Sequence, residues 1–149
     1  MYQIVLAFHN FVRWVALILG IIAFVRALFG WLGKREWVDL DRRLGIFFTS
    51  AMDLQFLLGL ILYIFLSPYS RDMFRSFPTN LGNPTDLFFG LFHPLIMILA
   101  VIFAHVGRAT SRKATENLAR HQRSVLWYGL SVALMLFAIP WSRPLLRSF

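Results

Sequence analysis

The chain of 149 residues contains no cysteine and few charged side chains, and both shortages limit what it can be. Without cysteine it has no disulfide framework, no thiolate nucleophile, no iron–sulfur cluster and no cysteine-bound zinc. Only 15% of its residues are charged, whereas a soluble domain carries roughly 25% to cover its surface. The hydrophobic share of 58% and the mean hydropathy of +0.65 therefore indicate an integral membrane protein.

The sequence also lacks the motifs of nucleotide-driven and hydrolytic enzymes. It has no Walker loop, no Rossmann glycine cluster, no His-Glu-x-x-His and no nucleophile elbow. Acidic residues are scarce, with 7 against 15 Lys and Arg, which gives a net charge of +8. Because the basic residues cluster at the ends of apolar segments, we expect them to orient the chain and to contact anionic lipid. Membrane lipid is thus the expected partner, and nucleic acid is not.

Four apolar segments, at about 4–29, 44–66, 87–106 and 122–140, dominate the sequence. A helix needs about 20 residues to cross the hydrocarbon core, which is about 30 Å thick. Helices are expected because backbone groups in lipid must bond within their own segment. The sequence therefore predicts an all-α fold, a bundle of four transmembrane helices that forms a single membrane domain, 1–149.

The basic residues predict an orientation for this bundle. The links after the first and third segments carry ten Lys and Arg, whereas the loop after the second and the C-terminal tail carry four. Cytoplasmic links are enriched in such residues, so we expect both termini outside the cytoplasm. The outer loop, 67–86, contains Pro68, Pro78 and Pro84, which predicts an irregular cap.

Two histidines are predicted to meet inside the bundle. His9 lies in the first segment and His93 near the start of the third, next to Pro94. At 1.5 Å per residue, His9 lies about 8 Å and His93 about 9 Å below the outer surface, so the two are level. Two facing imidazoles can ligate a haem iron through neutral ring nitrogens, which makes them candidate metal ligands. The alternative is that both are hydrogen-bonded packing residues between helices.

Arg13 and Asp53 lie near the midplane, and either charge alone is costly there. They are therefore expected to form a buried charge pair that fixes the packing of the first two helices. Two functional alternatives remain open: Arg13 binds a haem propionate as part of the cofactor site, or Asp53 and Gln55 form a proton relay.

The other two histidines have weaker predicted roles. His105 follows His93 by twelve residues, which rotates it by about 120° on an ideal helix, so the two do not share a face. His105 could instead pair with His121, but His121 lies in a basic link and is expected to be solvated there. A second haem is not favoured by this spacing.

Several short motifs together resemble a group of small bacterial four-helix membrane proteins labelled cytochrome b-like. The motifs are His9-Asn-Phe-Val-Arg13-Trp14, Asp53-Leu-Gln55, Ser67-Pro68, His93, His105-Val-Gly107-Arg108 and Ile139-Pro140-Trp141. The resemblance implies a bacterial cytoplasmic membrane, haem b as a cofactor, and His9 and His93 as its ligands.

The expected function is haem-mediated electron transfer by a b-type cytochrome-like protein, within or beside a respiratory or photosynthetic complex. The alternative is a non-redox accessory subunit of a larger membrane complex that binds lipid or pigment. A third interpretation is a quinone-binding or proton-conducting protein built around Asp53, Gln55 and Tyr63.

Overall fold

A computed structural model describes residues 1–141 of the chain, without the side chains of residues 80 and 81. Its helices are α1 (Tyr2–Leu32), α2 (Asp39–Ile61), α3 (Pro68–Arg75), α4 (Pro84–Leu87), α5 (His93–Lys113) and α6 (Asn117–Ala138). A π-helical turn, Leu62–Leu66, continues α2, and a second, Phe88–Phe92, joins α4 to α5. A short 3₁₀ turn, Thr79–Gly82, precedes α4. The described part of the chain is helical and contains no strand, as an all-α fold requires.

The four long helices pack side by side as a closed ring. α1 lies between α2 and α6, and α5 lies between the same two helices on the opposite side. Short links, 33–38 and 114–116, join the helices at one end, which we call the basic end because Arg42, Arg43, Arg108 and Arg123 lie there. At the opposite end, the capped end, α3 and α4 connect α2 to α5. The α2–α5 seam is the loosest of the four, which leaves room for a cavity.

Three helical runs are long and apolar enough to cross a membrane: Tyr2–Leu32, Asp39–Leu66 and Pro84–Lys113. They coincide with the first three predicted segments. Large apolar side chains cover their outer faces, and Phe11, for example, is 63% exposed. An outer surface of this kind suits hydrocarbon rather than water.

Some predicted boundaries are wrong. The third segment was expected to end at residue 106, but α5 continues to Lys113, and the fourth begins at Asn117 rather than at 122. Polar residues outside the hydrocarbon core extend these helices, since only the core demands apolar side chains. The predicted irregular cap contains α3, which begins with Pro68, a residue whose fixed φ suits the first helical position.

Small residues allow the helices to approach one another closely. Ala16, Ala100 and Ala104 are fully buried, on the faces that carry His9 and His93. A Cβ atom on Gly20 would lie 2.7 Å from Phe48 Cε2, so glycine at this position makes room for the ring. This agrees with the small-residue interfaces that are typical of membrane helices.

Two polar contacts tie neighbouring helices together. The Ser131 hydroxyl on α6 donates to the Ala100 carbonyl on α5 over 2.7 Å. At the basic end, Arg26 on α1 pairs with Asp41 on α2, with 2.6 Å between Nε and Oδ1. These contacts tie α6 to α5 and α1 to α2.

Candidate functional site

A cavity of about 520 Å³ lies between α2 and α5, with α1 behind it. Its volume is within the range of about 300–1,000 Å³ that is usual for small-molecule and cofactor sites. The wall is mostly apolar, and its mouth opens sideways between α2 and α5, where exposed apolar side chains such as Leu60 and Leu95 surround it. A few polar side chains converge inside: His9, Arg13, Gln55, Tyr63 and His93.

The structure brings His9 and His93 together, as the depth estimate predicts. Their ring centroids are 6.4 Å apart and the ring planes are inclined by 69°. An imidazole nitrogen holds a metal ion at about 2.0–2.1 Å, so two imidazoles on one ion have their ring centres about 6 Å apart. The observed separation of the ring centroids is close to this value.

The end of α6 orients His93. Pro140 follows α6, and the helix ends at Ala138, whose carbonyl belongs to the last turn and lacks a partner within the helix. His93 Nδ1–H donates to this carbonyl over 2.9 Å. A carbonyl can only accept, so the proton is on Nδ1 and the neutral ring keeps the lone pair on Nε2. His93 is thus in the tautomer that a metal ligand or a hydrogen-bond acceptor requires.

His9 is held from the opposite side of the cavity, by α2. The Gln55 amide donates from Nε2 to His9 Nε2 over 3.2 Å. A Cβ atom on Gly59 would lie 3.3 Å from His9 Cε1, so the α2 backbone approaches the ring closely. Within the described residues, the buried atoms His9 Nδ1 and Gln55 Oε1 make no hydrogen bond. Buried polar atoms of this kind are costly unless a ligand satisfies them.

The predicted buried pair of Arg13 and Asp53 is wrong. Arg13 is buried on the cavity wall, with its guanidinium carbon 5.3 Å from the centroid of the Trp14 ring. Asp53 instead accepts a hydrogen bond from His105 Nε2 over 2.7 Å, on the outer surface. Depth along a helix does not fix direction around it: Asp53 is rotated by about 100° from its buried neighbour Met52. Asp53 also does not line the cavity, whereas Gln55 does.

His121 is not solvated, contrary to expectation. It is 1% exposed and packs 5.0 Å from the Trp37 ring, between centroids. Gly30 on α1 makes room for this ring, because a Cβ atom there would overlap it. Since α6 begins at Asn117, His121 lies one turn inside the helix rather than in a link, and it does not meet His105.

Sequence reasoning missed the contact that links the two π-helical turns. The Tyr63 hydroxyl, in the first turn, donates to the Gly90 carbonyl, in the second, over 2.8 Å. In a regular α-helix this carbonyl would bond the N–H of residue 94, but Pro94 has none. Pro94 was therefore the feature of the sequence that could have indicated a free carbonyl at Gly90. Irregular turns of this type often lie at functional sites, and here they flank the cavity at the capped end.

No family model, curated protein or solved structure matches the chain. Residues 1–141 contain no group of three or more His, Asp or Glu that could hold a metal ion.

Proposed function

We propose that this chain is a b-type haem protein of the membrane that transfers electrons within or beside a respiratory or photosynthetic complex. The observation that supports the proposal is the pair of imidazoles, His9 and His93, 6.4 Å apart on the wall of a cavity of cofactor size. The cytochrome b-like resemblance is part of the same proposal.

The residues present fit such a cofactor. His93 Nε2 and a ring nitrogen of His9 would hold the haem iron. The Ala138 carbonyl, by accepting from His93 Nδ1–H, fixes the ring and increases the basicity of Nε2. Gln55 can fix the His9 ring in the same way. If the Gln55 amide is rotated, its Oε1 accepts a hydrogen bond from His9 Nε2–H, and the lone pair of the neutral ring is then on His9 Nδ1. Once bound, haem iron supplies one-electron oxidation and reduction.

Arg13 adds a positive charge to the wall of the same cavity. It lies four residues, one helical turn, after His9 on α1, and it is buried. A guanidinium binds carboxylates with charge-assisted hydrogen bonds, so Arg13 is the proposed partner of a haem propionate. Its charge would also favour the reduced form of a bound haem iron, which carries one positive charge less.

Optical spectra of the purified chain test the proposal. We expect the protein expressed with a haem supply to show a Soret band and reduced-state bands after dithionite. His9→Ala and His93→Ala should lose these bands, while His105→Ala, a control on the same helix as His93 but outside the cavity, should keep them. Added imidazole should restore the spectrum of His93→Gly. A colourless native protein, or bands that persist in both ligand variants, would overturn the proposal.

A second candidate, the non-redox accessory subunit, is favoured by the apolar wall and sideways mouth of the cavity. These features suit a lipid or pigment tail as well as a porphyrin. Extraction of the purified protein separates the two: a stoichiometric lipid or pigment without iron supports the accessory subunit, and equimolar haem supports the cytochrome.

The proposed location is the bacterial cytoplasmic membrane, with α6 as the fourth span and both termini outside. α6 has 22 residues, which is about 33 Å of helix, and it packs along α1 and α5 to close the ring. The basic end then lies in the cytoplasm, in agreement with the positive-inside rule.

A further inference from the structure

The short helix α3 is attached to both π-helical turns at the capped end. The Ser70 hydroxyl donates to the Tyr63 carbonyl, in the first turn, over 2.6 Å. Met73 packs against Gly90, in the second turn, where a Cβ atom would lie 2.8 Å from Met73 Cβ. Ser70 and Met73 are only 1% and 5% exposed. The bundle therefore fixes the position and the rotation of α3.

This position is level with the end of a membrane-spanning run. The run Asp39–Leu66 is long and apolar enough to cross a membrane. Its part from Arg43, at the basic end, to Leu66 rises about 34 Å, and the hydrocarbon core is about 30 Å thick. α3 begins two residues later, at Pro68. It thus lies where hydrocarbon gives way to lipid headgroups.

The polar side chains of α3 point away from the bundle. Arg71, Asp72 and Arg75 are exposed. At about 100° of rotation per residue, these three lie on the face opposite to the buried Ser70 and Met73. This face is suited to water and to charged headgroups.

Exposed phenylalanines accompany this polar face. Phe74 is 68% exposed and lies at the border between the buried and the polar faces of α3, and Phe77, just after the helix, is 65% exposed. Phe65, at the end of the run that spans the membrane, is 68% exposed as well. The apolar surface of α2 is therefore continued by the segment 74–77. Large exposed apolar side chains beside polar ones mark an interaction surface.

We infer that α3 and the segment after it bind the phospholipid surface at the capped end. Phe74 and Phe77 enter the boundary between headgroups and acyl chains, while Arg71 and Arg75 contact lipid phosphates. Apolar side chains on one side of a helix and arginines on the other are typical of helices that lie in a membrane interface. Lipid is the occupant, because the lipid that surrounds Phe65 extends to this surface.

This anchor goes beyond the proposed function and does not depend on it. It requires only that the run Asp39–Leu66 crosses the membrane, and no residue of the haem site takes part. It also lies at the end opposite to the basic links, so it is a second place of contact with lipid headgroups.

Spin labels on single cysteines test the depth of α3, and the absence of native cysteine makes the labelling specific. The chain is placed in phospholipid nanodiscs with a nitroxide on Phe74→Cys or, as the matched control on the same helix, on Asp72→Cys. Oxygen concentrates in hydrocarbon, whereas a charged nickel complex stays in water. We expect oxygen to relax the label at residue 74 more strongly than the nickel complex does, and the reverse at residue 72.

Trypsin tests the anchor without a label, because it cleaves after Arg71 and Arg75 when α3 opens. In nanodiscs, the double variant Phe74→Ser with Phe77→Ser should be cleaved there about tenfold faster than the native chain, since its apolar contacts with lipid are lost. The control, Phe74→Leu with Phe77→Leu, keeps apolar side chains and should be cleaved at the native rate. Circular dichroism checks that both variants remain helical.

Three results would overturn the inference. One is a label at residue 74 that the nickel complex relaxes as strongly as the label at residue 72. Another is a label at residue 74 that is shielded from both reagents, which would mean that protein covers this surface. The third is unchanged cleavage of the serine variant. None of these readouts uses the optical spectrum, so a colourless protein whose label at residue 74 is relaxed by oxygen would refute the haem proposal alone.

Discussion

Two prolines help to orient the side chains at the ends of the cavity. Because α6 ends before Pro140, the Ala138 carbonyl is available to accept a hydrogen bond from His93. Because Pro94 has no N–H, the Gly90 carbonyl is available to accept one from the Tyr63 hydroxyl. Each proline acts by withholding a backbone N–H or by ending a helix, which is a property that the sequence alone displays.

The meeting of His9 and His93 could be predicted because both helices enter from the same end and advance at a fixed rise per residue. The position of Asp53 could not, because its direction depends on how α2 is rotated against its neighbours. A rotation of about 100° separates the cavity wall from the outer surface, and no motif in the sequence fixes it. Whether the two imidazoles bind iron stays a prediction.

At the residue scale, we predict that Arg13→Gln lowers the midpoint potential of the proposed haem by tens of millivolts. Removing a buried positive charge from the cavity wall destabilises the reduced iron relative to the oxidised one. The measurement is a redox titration of the purified protein followed by its optical bands.

Arg13→Lys is the matched control, because it keeps the charge and should keep most of the potential. An unchanged potential in Arg13→Gln would show that this guanidinium does not act on the cofactor.

At the scale of the helices, apolar runs predicted the three helical runs that are long enough to span a membrane, and the ends of the helices were less predictable. Helices continue past the hydrocarbon core into polar sequence, as α5 does to Lys113. A search for about 20 apolar residues locates the part in lipid and misses the rest. For the same reason His121 was predicted to lie in a link, whereas it lies one turn inside α6.

The contact between α1 and α6 at Gly30 gives a prediction about stability. Gly30→Ala should lower the free energy of unfolding by about 1–3 kcal/mol, because the new methyl group overlaps the buried His121 ring. Thermal unfolding in detergent measures this as a lower midpoint temperature.

Gly82→Ala is the control, because a Cβ atom there meets no heavy atom within 4 Å. In the double variant Gly30→Ala with His121→Ala, the changes in the free energy of unfolding should not add, because the ring that the new methyl group overlaps has been removed. Strict additivity would show that the two residues do not compete for space.

At the scale of the whole molecule, the topology can be tested with single cysteines and a membrane-impermeant maleimide on intact cells. Arg75→Cys at the capped end and Trp141→Cys after α6 should react from outside. Glu36→Cys in the link after α1 should react only after lysis. All three positions are exposed, so accessibility within the fold does not limit labelling.

The position of Trp141 tests the fourth span directly. If α6 crosses the membrane, residue 141 lies on the same side as residue 75 and reacts in intact cells. If α6 does not cross, residue 141 lies on the same side as residue 36 and reacts only after lysis. Labelling of residue 36 alone in intact cells would show that the orientation is opposite to the one proposed.

The sideways mouth of the cavity has a consequence for how the protein acquires its ligand. Because the opening faces the bilayer between α2 and α5, a hydrophobic ligand of the proposed kind would reach the imidazoles after dissolving in the membrane. Its local supply would then be set by partitioning into lipid rather than by its concentration in water.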